Sequence, residues 1–250
     1  MIEIKSKHEI ELMREAGKIL CEMHNRLGEM IRPGMSTGEV NEKAEGLMKK
    51  LGGFPSMKGL YDFPAACCVS VNDEVIHGIP DFHRILKDGD IVSIDTCTSY
   101  RGYNADATRT WAVGNISDNA KHIIEVCQDS FWAGVKNAVP GNHLNDICAA
   151  IGYYAEDHGC GVLKEYVGHG IGHEIHMDPE VPNYDMHRKG PKLAAGMVLA
   201  IEPMIAEESG DVHTLDNGWT VVTDNGKLGC HYENTVLITD NGPEVLTLVK

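Results

Sequence analysis

The sequence predicts an α+β protein made of two similar halves, each running helix, Pro-Gly, helix and then strands around a common sheet. Two paired helical patterns and the β-rich runs that follow them predict the class, and self-similarity at a fixed offset predicts the duplication. In the first half Ile10, Met13, Gly17, Leu20 and Leu27 recur on one helical face. The stretch RPGMSTGEVNEKAEGLMKKLGG then supplies a second helix, with Ser36 and Glu39 as a capping box and Gly52 as its stop. Three strand-like runs follow, AACCVSV, DIVSIDTCT and TRTWAV, separated by turn-rich pieces. A second helical pair covers about 118–138 and 142–158 and stops at Gly159. Pro33-Gly34 falls on Pro140-Gly141 when the chain is shifted by 107 (140 − 33). Under the same shift Gly52 meets Gly159, Gly89 meets Gly196 and Asp95 meets Glu202, so GDIVSIDT and GMVLAIEP align as glycine, apolar run, acid. A pseudo-twofold fold would bring the two matched acids together at its centre.

Bulk properties narrow the function classes. The 250 residues, 42% hydrophobic and 24% charged, fit a soluble globular protein read as one domain over 1–250. No apolar run approaches the roughly 20 residues of a membrane helix, and the charged start MIEIKSKHEIELMREAG has no apolar core, so no signal peptide is expected. A cytoplasmic protein is the expectation. The eight cysteines, at 21, 67, 68, 97, 127, 148, 160 and 230, form no CxxC, which favours reduced buried thiols over disulfides. A formal charge of −15 argues against nucleic-acid binding, which needs a basic footprint. The same carboxylates, with 13 histidines, leave metal binding open.

The acids sit where charge is expensive. Asp95 lies inside an apolar strand, and Asp106 opens the next strand after a turn at Arg101-Gly102. Acids on two such strands meet across the sheet, where they repel unless a cation joins them; capping a turn, for Asp95, and facing solvent, for Asp106, are the alternatives. Glu202 ends the apolar run VLAIEP, and Glu233 stands beside the β-rich run NTVLIT. One such acid is usually a salt bridge; four suggest a cation site. Carboxylates with an imidazole suit Mn, Fe, Co or Zn in a catalytic site better than a structural zinc. The segment VGHGIGHEIH offers His169, His173 and His176. Its HEIH is not the HExxH zinc helix, because the histidines are three apart rather than four.

Taken together, NDEVIHGIP, IDTCTSYRGYNAD, GHGIGHEIHMDP, IEPM and YEN, in this order and spacing, resemble the type I methionine aminopeptidases of the pita-bread (creatinase/aminopeptidase) fold. The resemblance runs from residue 3 to 250 and includes KDGDIV before the first acid and DNGWTVVT before the last. It implies five metal ligands, Asp95, Asp106, His169, Glu202 and Glu233, holding two divalent cations (Co, Zn, Mn, Ni or Fe). Asp106 and Glu233 would bridge, Asp95 would serve one ion, and His169 with Glu202 the other. A hydroxide between the ions would attack the peptide carbonyl, with Glu202 as general base and then acid. His77, near the scissile amide, and His176, near the carbonyl, would be catalytic without binding metal. His173 is expected to do neither. Phe63, Cys68, Ile175 and Trp219 would wall the pocket for the methionine side chain, although each suits plain core packing equally.

The implied substrate is the initiator methionine of nascent chains with a small second residue, and the implied setting is a monomer in transient contact with the ribosome, with no membrane and no specific nucleic-acid partner. Proline-specific peptidases of the same fold usually carry a large N-terminal domain, and type II enzymes an insertion between HGIG and the last glutamate; neither pattern is present. The sequence departs from the family at Ala105, where glycine is common, and at Cys230, His231 and Asn234, where a small residue, glutamine and histidine are frequent. His231 lies close enough to Glu233 to alter metal affinity or pH dependence.

Overall fold

The computed structural model describes residues 1–248. In the first half helix α1 spans Lys7–Gly28 and α2 spans Thr37–Lys50. Both start at reciprocal capping boxes, Ser6 with Glu9 and Ser36 with Glu39, which satisfy the backbone N–H groups a helix start leaves open. Strands β1 (Phe54–Pro55), β2 (Cys68–Val71), β3 (Glu74–Ile76), β4 (Ile91–Tyr100) and β5 (Tyr103–Ala112) follow. Arg101 and Gly102 both take positive φ, 52° and 85°, the two-residue turn that suits the twist of a hairpin. Because that turn is so tight, Asp106 lies fourth in β5, not at its opening as the sequence suggested.

The second half repeats the plan. Helices α3 (Asp118–Val135) and α4 (Leu144–Asp157) precede β6 (Cys160–Val162), β7 (Gly168–Gly170), β8 (Met177–Val181), β9 (Val198–Ile201) and β10 (Met204–Glu207). The chain ends with β11 (Val212–Thr214), β12 (Val221–Thr223), β13 (Gly229–His231), β14 (Glu233–Thr239) and β15 (Gly242–Val245). The offset read from the sequence is visible here: α4 is α2 displaced by 107 at both ends (144 − 37 and 157 − 50), and β9 starts 107 after β4 (198 − 91).

The main sheet is antiparallel, in the order β1-β4-β5-β14-β9-β7-β8, with β2 also on β4 and β15 also on β14. The two halves therefore meet where β5 pairs with β14, Thr108 opposite Glu233 and Ala107 opposite Asn234. Strands alternate their faces. Val92, Ile94, Ala105 and Ala107 point into the core beneath α1 and α2, with Leu20, Met23 and Val40. Leu199, Ile201, Val236 and Ile238 pack under α3 and α4 with Phe131, Ile147 and Ile151. With both helix pairs claiming one face, the alternate residues of β4, β5 and β14 are free to form a site on the other. Two smaller three-stranded sheets, β13-β10-β6 and β11-β12-β3, complete the fold. The eight cysteines are buried thiols, as expected.

Candidate metal centre

All eleven side chains singled out in the sequence line one cavity of about 360 Å³. Its polar wall is built on the central hairpin. Asp95 faces Thr108 and Cys97 faces Asp106 across the β4–β5 ladder, so the two acids stand diagonally on one face. Glu233 opens β14 opposite Thr108, and the Thr108 hydroxyl donates to Glu233 Oε2 at 2.9 Å. Glu202 lies immediately beyond the end of β9, and its backbone carbonyl accepts from the Asn183 side chain at 2.9 Å. His169 arrives on β7 opposite Ala200 of β9. Gly168 beside it allows that approach, because a Cβ there would collide with the carbonyl of Ala200.

Burial pushes the carboxyls of Asp106, Glu202 and Glu233 well above their usual range, and the neighbouring acids push further. Burial raises Asp95 to about 6, while the Thr108 hydroxyl and Cys68 thiol beside it hold it down. Asp106 Oδ1 and Glu202 Oε1 are buried with no hydrogen-bond partner. Four mutually repelling acids, two of them with unpartnered buried oxygens, suit divalent cations, which remove the repulsion and accept those lone pairs. The donor set fits as well. Asp106, His169 and Glu233 bring ligand atoms within 4.8 Å of one another, and so do Glu202, His231 and Glu233. Asp95 lines the same cavity outside those two tightest groups.

His169 is oriented for coordination. Its Nδ1 is 2.9 Å from the carbonyl of Gly170, which makes Nδ1 the protonated nitrogen and turns the Nε2 lone pair toward Glu202 Oε1 at 3.5 Å and Asp106 Oδ2 at 4.0 Å. Burial lowers its pKa to about 4, so the ring is neutral at physiological pH. His176 meets it edge to face with centroids 4.5 Å apart, and Tyr61 stacks on the other side of His176 at 5.8 Å. His77 takes a positive φ of 58° between Tyr166 and Trp219. Its pKa also falls to about 4 through burial. His173 stays outside the cavity lining, half exposed, with Nδ1 3.6 Å from Glu3.

The rest of the wall is largely apolar. Phe63 and Trp219 meet edge to face at 5.0 Å, and Phe63 and Cys68 are buried together with Ala65. Ile175 closes the pocket from the histidine segment. Further residues of the site are Thr108, which supports the acids from β5, and Tyr61, Tyr166 and Met57 of the cavity lining. Thr108 was legible, because it is two residues beyond Asp106 and so shares its face. Tyr61, Tyr166 and Met57 sit on loops where no periodicity announces direction.

Residues 11–240 match the model of metallopeptidase family M24. The chain is 54% identical to a methionine aminopeptidase of Clostridium perfringens, all of both chains being covered. It is 47% identical to methionine aminopeptidase 1 of Bacillus subtilis, again over 100% of each. Among solved structures, a methionine aminopeptidase from Thermotoga maritima superposes with a TM-score of 0.97 at 40% identity, covering all of both chains. A prolidase from Pyrococcus furiosus reaches 0.77 at 28% identity, and this chain covers 99% of itself but only 66% of that one.

Proposed function

This chain belongs to metallopeptidase family M24, among the methionine aminopeptidases of the bacterial type, and on that premise we propose how its residues divide the work of releasing an N-terminal methionine. Asp95, Asp106, His169, Glu202 and Glu233 would hold two divalent cations, Asp106 and Glu233 lying on the two strands that meet at the centre of the sheet. When bound, such ions supply Lewis-acid polarisation of a carbonyl and a water that is acidic near neutral pH.

The protein's own groups do the rest. Glu202, whose carboxyl burial pushes well up, accepts a proton at the cavity and delivers it to the departing amine. His176 donates an N–H to the oxygen that gains negative charge. Partial desolvation lowers its pKa, and its ring meets those of Tyr61 and His169. His77, fixed against Tyr166 and Trp219, borders the scissile amide and crowds the second residue, which favours small side chains. Phe63, Cys68, Ile175 and Trp219 receive the methionine side chain, aromatic edges suiting the thioether. The free α-amine lies against the carboxylate wall, which limits the enzyme to chain ends. Residues 1–250 act as one catalytic domain and as a monomer in the cytoplasm, on nascent chains at the ribosome. Among the described residues no helix is long and apolar enough to cross a membrane.

The observation that carries this reading is the juxtaposition, in one cavity, of Asp95, the three buried acids Asp106, Glu202 and Glu233, and His169 with an apolar aromatic pocket. Peptide cleavage by chelator-stripped protein, with Mn, Fe, Co or Zn returned in turn, tests it. Metal-dependent release of methionine from Met-Ala-Ser, with Met-Lys-Ser and N-formylated Met-Ala-Ser resistant, is the expected result. Preference for an Xaa-Pro peptide would transfer the chain to the prolidase branch, and equal cleavage of Met-Lys-Ser would remove the role given to His77.

A further inference from the structure

His231 is a buried group that the five-ligand reading leaves without a task. It ends β13, two residues before Glu233, and its backbone is already satisfied by pairing with Met204 and by the Thr110 hydroxyl, which donates to its carbonyl at 2.8 Å. Its ring is only 2% exposed, and neither Nδ1 nor Nε2 has a hydrogen-bond partner. A neutral imidazole carries one donor and one acceptor, and burying both unmet is costly. The other deeply buried histidine, His24, places its Nε2 3.0 Å from the carbonyl of Ala107. His24 Nδ1 is buried without a partner too, but among the described residues only His231 leaves both buried ring nitrogens unmet.

Distance identifies the missing partner. His231 Nε2 lies 3.8 Å from Glu202 Oε2 and 3.8 Å from Glu233 Oε2. That is too far for hydrogen bonds. It is the separation expected of donors sharing one ion, since ligands each about 2.1 Å from a metal stand about 3–4 Å apart. His169 Nε2 approaches the other oxygen of the same glutamate, Oε1, at 3.5 Å. Glu202 is thus flanked by two imidazoles, one from β7 and one from β13.

Resting on the metal-centre reading above, we propose that His231 is a sixth protein ligand, binding through Nε2 an ion that Glu202 and Glu233 also hold. A second nitrogen donor shifts the preference of the centre toward Zn, Co and Ni and away from Mn, which favours oxygen ligands.

Cobalt-loaded protein tests this without measuring turnover. Each Co-bound imidazole contributes a strongly shifted, solvent-exchangeable N–H resonance in the proton NMR spectrum. Loaded with two equivalents of Co(II), the unaltered protein should show two such signals, His169→Gln should remove one, and His231→Gln the other. In calorimetric titration of the stripped protein, His231→Gln should weaken one of the two Co(II) binding events roughly tenfold or more. One signal in the unaltered protein, absent in His169→Gln and kept in His231→Gln with two ions still bound, would overturn the proposal and leave the five-ligand centre standing. Failure of the unaltered protein to take up Co(II), Zn(II) or Mn(II) would overturn both. The count of signals in the unaltered protein is informative even if His231→Gln does not fold.

Discussion

The two halves of the molecule start from the same plan and have come to different chemistry. Each lays two helices over one face of its strands and offers an acid from the next strand, Asp95 in one half and Glu202, 107 positions on, in the other. The first half keeps a regular hairpin of two ten-residue strands, β4 and β5, and contributes two aspartates from it. In the second half the partner strand β14 is delayed by the β11–β13 excursion, and the short side chain at the ladder's edge is replaced. Ser70 faces Ser93 in the first half, whereas His169 faces Ala200, the position 107 beyond Ser93 (200 − 93), in the second. The first half supplies Asp95, Asp106 and His77 to the cavity, and the second supplies Glu202, Glu233 and the imidazoles of His169, His176 and His231. Duplication supplies symmetric scaffolding, and a site gains distinct acid, base and ligand roles where the copies diverge.

Experiments can press on that contrast. The largest effect is expected at the seam that both halves share: Asp106→Ala should remove bound metal and lower activity roughly a thousandfold or more, measured by metal analysis and methionine release. Retained metal would show that the platform does not need its central acid. Thr108 touches both halves, because its hydroxyl donates to Glu233 and faces Asp95. Thr108→Val should weaken metal binding roughly ten- to hundredfold while the fold persists, as loss of an orienting partner does. Trp219→Ala probes the apolar wall alone. It should lower kcat/KM for methionyl peptides roughly ten- to hundredfold with metal content unchanged; loss of metal instead would mean that the two walls are not separable.

The smallest effect concerns stability. His24 under β5 has Phe131 as its counterpart 107 positions on in the other core (131 − 24), so the first half buries an imidazole where the second buries a ring of carbon. Burial lowers the His24 pKa from 6.5 to about 3. The unfolded chain then binds a proton that the folded one refuses, so stability is intact above pH 6.5 and falls as the pH drops toward 3. The loss is about 1.4 kcal/mol per pH unit across the middle of that window. In urea titrations His24→Gln, which still offers a donor to Ala107, should show a correspondingly shallower decline between pH 6 and 4.

Much of this was legible before the structure. The offset of 107 anticipated both helix pairs and the matched acids, because glycine, proline and capping residues mark element ends by local backbone chemistry. It failed at Glu233, since β11–β13 interrupts the register and an insertion leaves no trace in a fixed offset. The capping box at Ser6 and Glu9 is as visible in the sequence as the one at Ser36 and Glu39. The inward direction of Thr108 and His231 follows from strand alternation once Asp106 and Glu233 are set. Tyr61, with a φ of 50° against His176, was beyond reach, because loop direction is decided by tertiary contact.

The pairing of β5 with β14 has a further consequence, for how the chain comes into being. Thr108 and Glu233 are 125 residues apart in sequence. While a ribosome is still making the second half, β5 is a bare edge strand with an acid on one face and apolar residues on the other. Contacts this distant close slowly, and open edges recruit neighbours in the meantime. The seam, and with it the proposed metal centre, is therefore expected to be among the last parts of the molecule to form. An enzyme that trims newborn proteins must itself pass through infancy without its own activity.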